Sequence, residues 1–227
     1  MADIFNEIEQ DLRHERFKRL WNRFGIYVIG LAVVVVAGVG GWRAWEAWKE
    51  SHAKSGGDQF YAALQTAAAG DHKAAAAAMQ KLADEKGGGY KILGQFRAAS
   101  ELAAGGDSAA AIAAFDAIAS DGSVPILYRN LAHVRAGYLA LAGADPKGAE
   151  TRVSSLAVEG GPWRQPAREI MGLAAYAGGD LEAAQRYFQA IVSDPDGPSD
   201  AIDRARIMLA VIQSAMPAPA EHANDAS

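Results

Sequence analysis

The sequence predicts an all-α protein, with one N-terminal transmembrane helix, then a solenoid of helical hairpins, then a C-terminal capping helix. Three observations lead there. Residues 24–42 carry no charged side chain, a Gly-Asp or Ala-Asp step recurs every 35 to 38 residues beyond position 70, and the stretches between those steps are Ala-rich with apolar residues at helical spacing. The composition agrees: of 227 residues, 50% are hydrophobic and 22% charged, enough to bury a core in one domain plus an appendage. A net charge of −5 argues against nucleic acid as the main partner, because phosphate binding needs a concentrated basic face. With no Cys there is no disulfide, thiolate metal site or Cys nucleophile, and the compartment stays open.

The first element is a tail, residues 1–23, with Ile4, Phe5, Ile8 and Leu12, then Phe17, Leu20, Trp21 and Phe24, at helical spacing between charges. It reads as an amphipathic helix that lies along headgroups, packs on a partner, or simply continues the next helix into solvent. That next helix is the apolar run FGIYVIGLAVVVVAGVGGW between Arg23 and Arg43, about 28 Å long and so matched to the hydrocarbon core. Trp21 and Tyr27 at one end, and Trp42 and Trp45 at the other, are the expected membrane-interface residues. A cleaved signal peptide would need a shorter run and a small-x-small site, so residues 24–45 read as a signal anchor. Arg13, Arg16, Lys18, Arg19 and Arg23 precede it, against Arg43, Lys49 and Lys54 after it, which places the N-terminus in the cytoplasm. Residues 46–57 are expected to be a hinge.

The third element repeats. Aligned on Asp71, Asp107, Asp145 and Asp180, the chain falls into four units close to the 34-residue tetratricopeptide period. Before each Asp stands Gly70, Gly106, Ala144 or Gly179, a left-handed helix end, and the Asp then caps the next helix. Small residues occupy the position eight before (Ala63, Ala99, Gly137, Gly172) and four after (Ala75, Ala111, Ala149, Ala184). Larger apolar residues stand eight after (Met79, Phe115, Val153, Phe188) and eleven after (Leu82, Ile118, Leu156, Ile191). Small side chains let paired helices approach, and the larger ones fill the space between units. The expected helices are 58–69 with 72–86, 90–104 with 108–120, 126–142 with 146–158, and 164–177 with 181–193. Pro125, Pro162, Pro166, Pro195 and Pro198 break the chain between them. A helix over 199–214 caps the last exposed face, so the repeat domain spans 58–215 and a disordered tail, 216–227, follows. An irregular α-helical bundle is the alternative.

A search for chemistry finds little. His14, His52, His72, His133 and His222 are scattered, and Gly87, Gly88 and Gly89 complete no phosphate-loop pattern. Asp194, Asp196, Asp200 and Asp203 hint at a cation, but EF-hand spacing fails and turn or capping roles suffice. No catalytic residue, cofactor site or metal site is expected, and the chain reads as no enzyme. The remaining candidates lie on the first helix of each unit, Arg97, Arg135, Tyr138, Glu169 and Tyr176, because Tyr and Arg favour interfaces.

The anchor with Gly41-Trp42-Arg43-x-Trp45, the segments YKILGQFRAASELAAGGD (90–107) and LAHVRAGYLAL (131–141), and GGPWRQPAREIMGLAAYAGGDLEAAQRYF (160–188) together resemble the membrane-anchored tetratricopeptide-like proteins of the YfgM type. The resemblance covers almost the whole chain and lies in the order of the segments. It implies an inner-membrane protein with a cytoplasmic N-terminus and a periplasmic repeat domain. The implied partners are the SecYEG translocon and the periplasmic chaperone PpiD. Two function classes follow: a scaffold at the translocon, or at another envelope assembly or division site, and a membrane-anchored envelope enzyme.

Overall fold

The structure is a computed structural model that describes the backbone of residues 2–216, and their side chains apart from 2–17, 19, 20, 22, 24, 28, 52 and 53. The expected apolar pattern of Ile4, Phe5, Ile8, Leu12, Phe17 and Leu20, and the polar tail from Pro217, lie outside the described residues. Among those described there is no strand. The helices are α1 (Ala2–Ala68), α2 (His72–Lys86), α3 (Gly88–Ala104), α4 (Ser108–Ser120), α5 (Ile126–Ala142), α6 (Pro146–Val153), α7 (Arg164–Ala177), α8 (Leu181–Val192) and α9 (Ser199–Ala215). Two compact units divide the chain, Met1–Ser55 and Gly56–Ser227.

In the first unit the apolar run of α1 is uncovered. Ile26, Val34 and Val36 are each at least two-thirds exposed, so among the described residues no protein surface covers this run. A core helix of a soluble protein would be mostly buried; this one is long and apolar enough to cross a membrane and is almost wholly unburied. Trp21, Tyr27, Trp42 and Trp45 are all exposed. The Lys49 ammonium sits 5.5 Å from the Trp45 ring centre, a cation–π contact beside the span. Residues 46–57, expected as a hinge, are helical within α1, and the division between the two units falls inside that stretch. Gly56 there reflects packing rather than a break, since a Cβ would come within 2.7 Å of the Tyr90 ring.

The second unit is built as four hairpins, residues 56–68 with α2, where Ala63 packs on Met79, then α3 with α4, α5 with α6, and α7 with α8, followed by α9. Every hairpin turn uses the same device. The amide of Asp107 donates to the carbonyl of Leu102 at 2.9 Å and that of Gly106 to Ala103 at 3.0 Å, which closes α3 as a Schellman turn. The Asp107 carboxylate then accepts from the Ala110 amide at 3.0 Å and caps α4. Asp71, Asp145 and Asp180 repeat both halves, accepting from Ala74, Gly148 and Ala183. One residue thereby ends one helix and starts the next. The left-handed residue is Gly70, Gly106 or Gly179 in three units and Ala144, at φ 58°, in the other.

The core follows the repeat columns. The small residues four after each Asp are fully buried, and so are Met79, Val153, Phe115 and Phe188 to within 2%. The position eight before the Asp is small because the residue eight after lies over it: a Cβ on Gly172 would be 2.8 Å from Phe188, and one on Gly137 3.1 Å from Val153. One column fails. Leu156 is only partly buried, because α6 stops at Val153 and a single 3-10 turn, Ser154–Leu156, replaces the last helical turn expected to reach 158. Ser154 and Ser155 offer the backbone competing hydrogen bonds there, and Gly160, Gly161 and Pro162 follow. Between units, Pro125 and Pro198 stand at the N-caps of α5 and α9, and Gly87, at φ 64°, separates α2 from α3.

Candidate functional site

The first helix of each hairpin has one face in the core and one outside. Along α3 the core face is Gly94, Ala98 and Ala99, and along α5 it is Ala132, Ala136, Gly137 and Ala140. The other face of α3 carries Tyr90, Leu93, Arg97 and Ser100, and that of α5 carries Tyr128, Leu131, Arg135 and Tyr138, at offsets of three, seven and ten residues. These are equivalent positions, 17, 14, 10 and 7 residues before Asp107 and Asp145. Leu93, Tyr128 and Tyr138 are 45%, 40% and 36% exposed, and Tyr61, at the Arg97 and Arg135 position of the first hairpin, is 63% exposed.

The five residues expected on this face do not form one cluster. Arg97 pairs with Glu101, which is buried. His72 Nδ1 at the start of α2 donates to the same carboxylate at 2.7 Å. Burial pushes the Glu101 pKa up, but the His72 hydrogen bond and the Arg97 charge more than reverse that and hold it below the ordinary carboxylate range. Arg135 is exposed and makes no hydrogen bond or ion pair with any described residue. Tyr138 and Glu169 are brought together, the phenol donating to Glu169 Oε2 at 3.2 Å. Burial, then the neighbouring Glu169 charge, raises the Tyr138 pKa, so the ring stays neutral.

Glu169 is mostly buried and belongs to an anchor for α9. Arg204 grips it with two parallel bonds, Nε to Oε1 at 2.9 Å and Nη2 to Oε2 at 3.0 Å, and also reaches Asp200 at 2.9 Å. Tyr176 packs against the cluster of Phe188, Ile191, Ala201, Ala205 and Ile212 between α8 and α9. Glu169 and Tyr176 thus seat the capping helix, while Arg135 and Tyr138, with the aromatic ring of Tyr128, stay accessible.

Two further sets recur without having been anticipated. Tyr90, Tyr128 and Trp163 each stand 17 residues before a capping Asp and fold back on the preceding unit. Tyr90 lies against Gly56, the Tyr128 ring is 6.3 Å from that of Phe96, and Trp163 packs on the cluster that includes Val134. One position later, a basic residue reaches the acid that ends the partner helix: Lys91 to Asp121 at 3.0 Å, and Arg164 to Asp194 at 2.8 Å. Arg129 and Glu159 hold the same offsets in the third unit, yet no ion pair joins them, because α6 ends a turn early.

The same pairs dispose of the acidic run that hinted at a cation. Asp194 is bound by Arg164 and Arg168, Asp200 by Arg204, and Asp203 by Arg206. Among the described residues no group of three or more His, Asp and Glu is arranged to hold a metal ion. His133, between α4, α5 and α6, has its pKa lowered by burial, partly offset by Asp116, whose carboxylate is itself held by Arg152. The side chains of His14 and His52, and all of His222, lie outside the described residues.

No curated protein and no solved structure matches the chain. A family model does: the tetratricopeptide repeat-like domain matches residues 18–207, beginning ahead of the apolar run and ending within α9. With four hairpins joined by one repeated turn, and a match across most of its length, this chain belongs to the tetratricopeptide repeat-like domain family.

Proposed function

We propose that this protein is a membrane-anchored, non-enzymatic interaction scaffold on the periplasmic side of the bacterial inner membrane. In this reading it is ancillary to the SecYEG translocon and works with a PpiD-like chaperone in handing over exported proteins. The repeat family supports a protein-interaction role. The observation that carries the reading is the outward face of residues 56–68, α3 and α5, where Tyr61, Leu93, Tyr128, Arg135 and Tyr138 are exposed although the opposite faces are fully packed. The uncovered apolar run of α1 supports the anchor, and the excess of Lys and Arg before it supports a cytoplasmic N-terminus. The translocon and chaperone rest on the sequence resemblance.

Two measurements test it. Protease added to intact and opened spheroplasts should cut the repeat domain only after opening; cleavage from the cytoplasmic side removes the translocon-exit model. Photo-cross-linkers at positions 61, 93 and 135 in cells should capture translocon subunits, a periplasmic chaperone or exported chains. Self-contacts alone would reject the scaffold.

A further inference from the structure

We infer that the repeat domain touches the lipid bilayer at the start of α5, where Ile126 and Leu127 insert among the headgroups. This rests on the membrane-anchored reading and goes beyond it by naming a second contact with lipid. Ile126 and Leu127 are 60% and 57% exposed, and Tyr128 beside them is exposed as well. Packing does not ask for large apolar residues here. The equivalent positions, 19 and 18 residues before the capping Asp, are Gly88 and Gly89 in the second unit and Gly161 and Pro162 in the fourth. Adjacent helix positions point about 100° apart, so the pair makes a blunt apolar tip at a helix end, whereas a partner helix would need a stripe along one face. Two aliphatic side chains with a tyrosine at their side suit a fluid interface.

The tip lies on the edge of the domain that the chain enters first. Gly56, which opens the second unit, lies against the Tyr90 ring near the start of α3. Lys91, the next residue, reaches Asp121 at 3.0 Å and Ser123 at 3.2 Å, in the loop that leads through Pro125 to Ile126. Contacts thus run from Gly56 to the tip along one edge, across two interhelical spacings or about 20 Å. Residues 46–56, which join Trp45 to that edge, cover about 16 Å as a helix, so the edge cannot leave the neighbourhood of the membrane. A tether of this length makes a contact too weak for a free protein sufficient. The contact is apolar: Lys91 and Asp121 neutralise each other beside the tip, and Glu159 and Asp196, in later loops between helices, are exposed acids that anionic lipid would repel. A second copy fits poorly, because tip against tip buries four side chains, far less than a stable dimer needs.

The chain has no Cys, so one introduced thiol carries one label. Full-length Gly122→Cys, in the exposed loop before the tip, and Ala109→Cys, exposed at the opposite end of α4, are labelled with a fluorophore and reconstituted in phosphatidylcholine vesicles. A lipid with a nitroxide on its headgroup should quench the label at 122 at least about threefold more than the label at 109, since the two stand about 20 Å apart along the helix and such quenching needs near contact. Ile126→Asp with Leu127→Asp, which alters exposed side chains, should abolish that difference and leave the helical circular dichroism intact. Salt should not change it. Equal quenching at both positions, none at either, quenching at 122 that survives the double Asp change, or quenching that appears only with anionic lipid would overturn the inference. A protein captured in cells by a cross-linker at 127 would give the tip to a partner and overturn it too. If the chain resists carbonate extraction in those events and cross-linkers at 61, 93 and 135 still capture envelope proteins, the anchored scaffold stands and only the second lipid contact falls. If carbonate releases the chain, both fall.

Discussion

Replacing Ala144 by Gly should stabilise the protein, and replacing Gly179 by Ala should destabilise it by a similar amount. Both residues close a hairpin turn in the left-handed region, Ala144 at φ 58° and Gly179 at φ 82°. Holding an L-residue there costs roughly 1–2 kcal/mol. A glycine instead gives up about 0.4–1 kcal/mol through the larger freedom of its unfolded chain. The difference favours Gly by roughly 0.5–1 kcal/mol at either site. Sterics do not confuse the comparison at Gly179, since a Cβ there meets nothing within 4 Å. For a domain of this size such a change moves the thermal midpoint by about 1–4 °C. Thermal unfolding of the full-length chain in one detergent, followed by far-ultraviolet circular dichroism, measures it. If Ala144→Gly lowers the midpoint, or if both variants melt with the wild type, turn strain is not what distinguishes the third unit.

Gly172→Ala should cost about 1–3 kcal/mol by overpacking, because the new Cβ would press on Phe188 at 2.8 Å; chemical denaturation reads the loss, and an unchanged midpoint would mean the helices part freely. The Asp121 carboxyl is held down to about 2 by the Ser123 hydroxyl and amide and by Lys91. A folded pKa below the unfolded value of about 4 means that its contribution is complete above about pH 4 and is lost as the pH falls toward 2. Acid titration of stability should therefore be flatter over that window for Asp121→Asn, and an identical acid limb would show that the contact contributes nothing. Lysines at both Val34 and Val36 should cost about 5–7 kcal/mol of insertion, comparable to all that the apolar residues of the run supply. That double variant should leave membranes on alkaline carbonate extraction while the parent stays, and retention of both would mean that something other than the run holds the chain.

What could be read from the sequence was what packing demands of every unit alike. A capping Asp must follow a left-handed residue, and the residue under Phe188 or Val153 must be small, so these positions recur and can be counted. The membrane-length run was legible for a similar reason, since absence of charge over its whole length has few other physical uses. The Lys91–Asp121 and Arg164–Asp194 pairs also recur, but charged residues at helix ends look like solvated surface until two ends meet in space. Gly56 and Gly57 invite a break when read along the chain, and only the Tyr90 ring lying on them explains why the helix continues. The short α6 was missed because the capping Asp and Pro146 signal its start clearly, while nothing as specific signals its end.

The candidate face was legible only in part, because the positions that make it a face are those that packing leaves unconstrained. Ten residues before the capping Asp, the four units carry Tyr61, Arg97, Arg135 and Ile170. The first three are outside, whereas Ile170 is fully buried, packed against Gly137 on the facing helix. One residue earlier the fourth unit places Glu169, where α3 and α5 have Phe96 and Val134, and spends it on Arg204 of the capping helix. The fourth hairpin is thus the one that closes the stack. Its tyrosine, Tyr176, is partly buried against the cluster shared with the capping helix. Residue type alone placed Tyr138 and Tyr176 in the same class; the neighbour that covers each ring separates them.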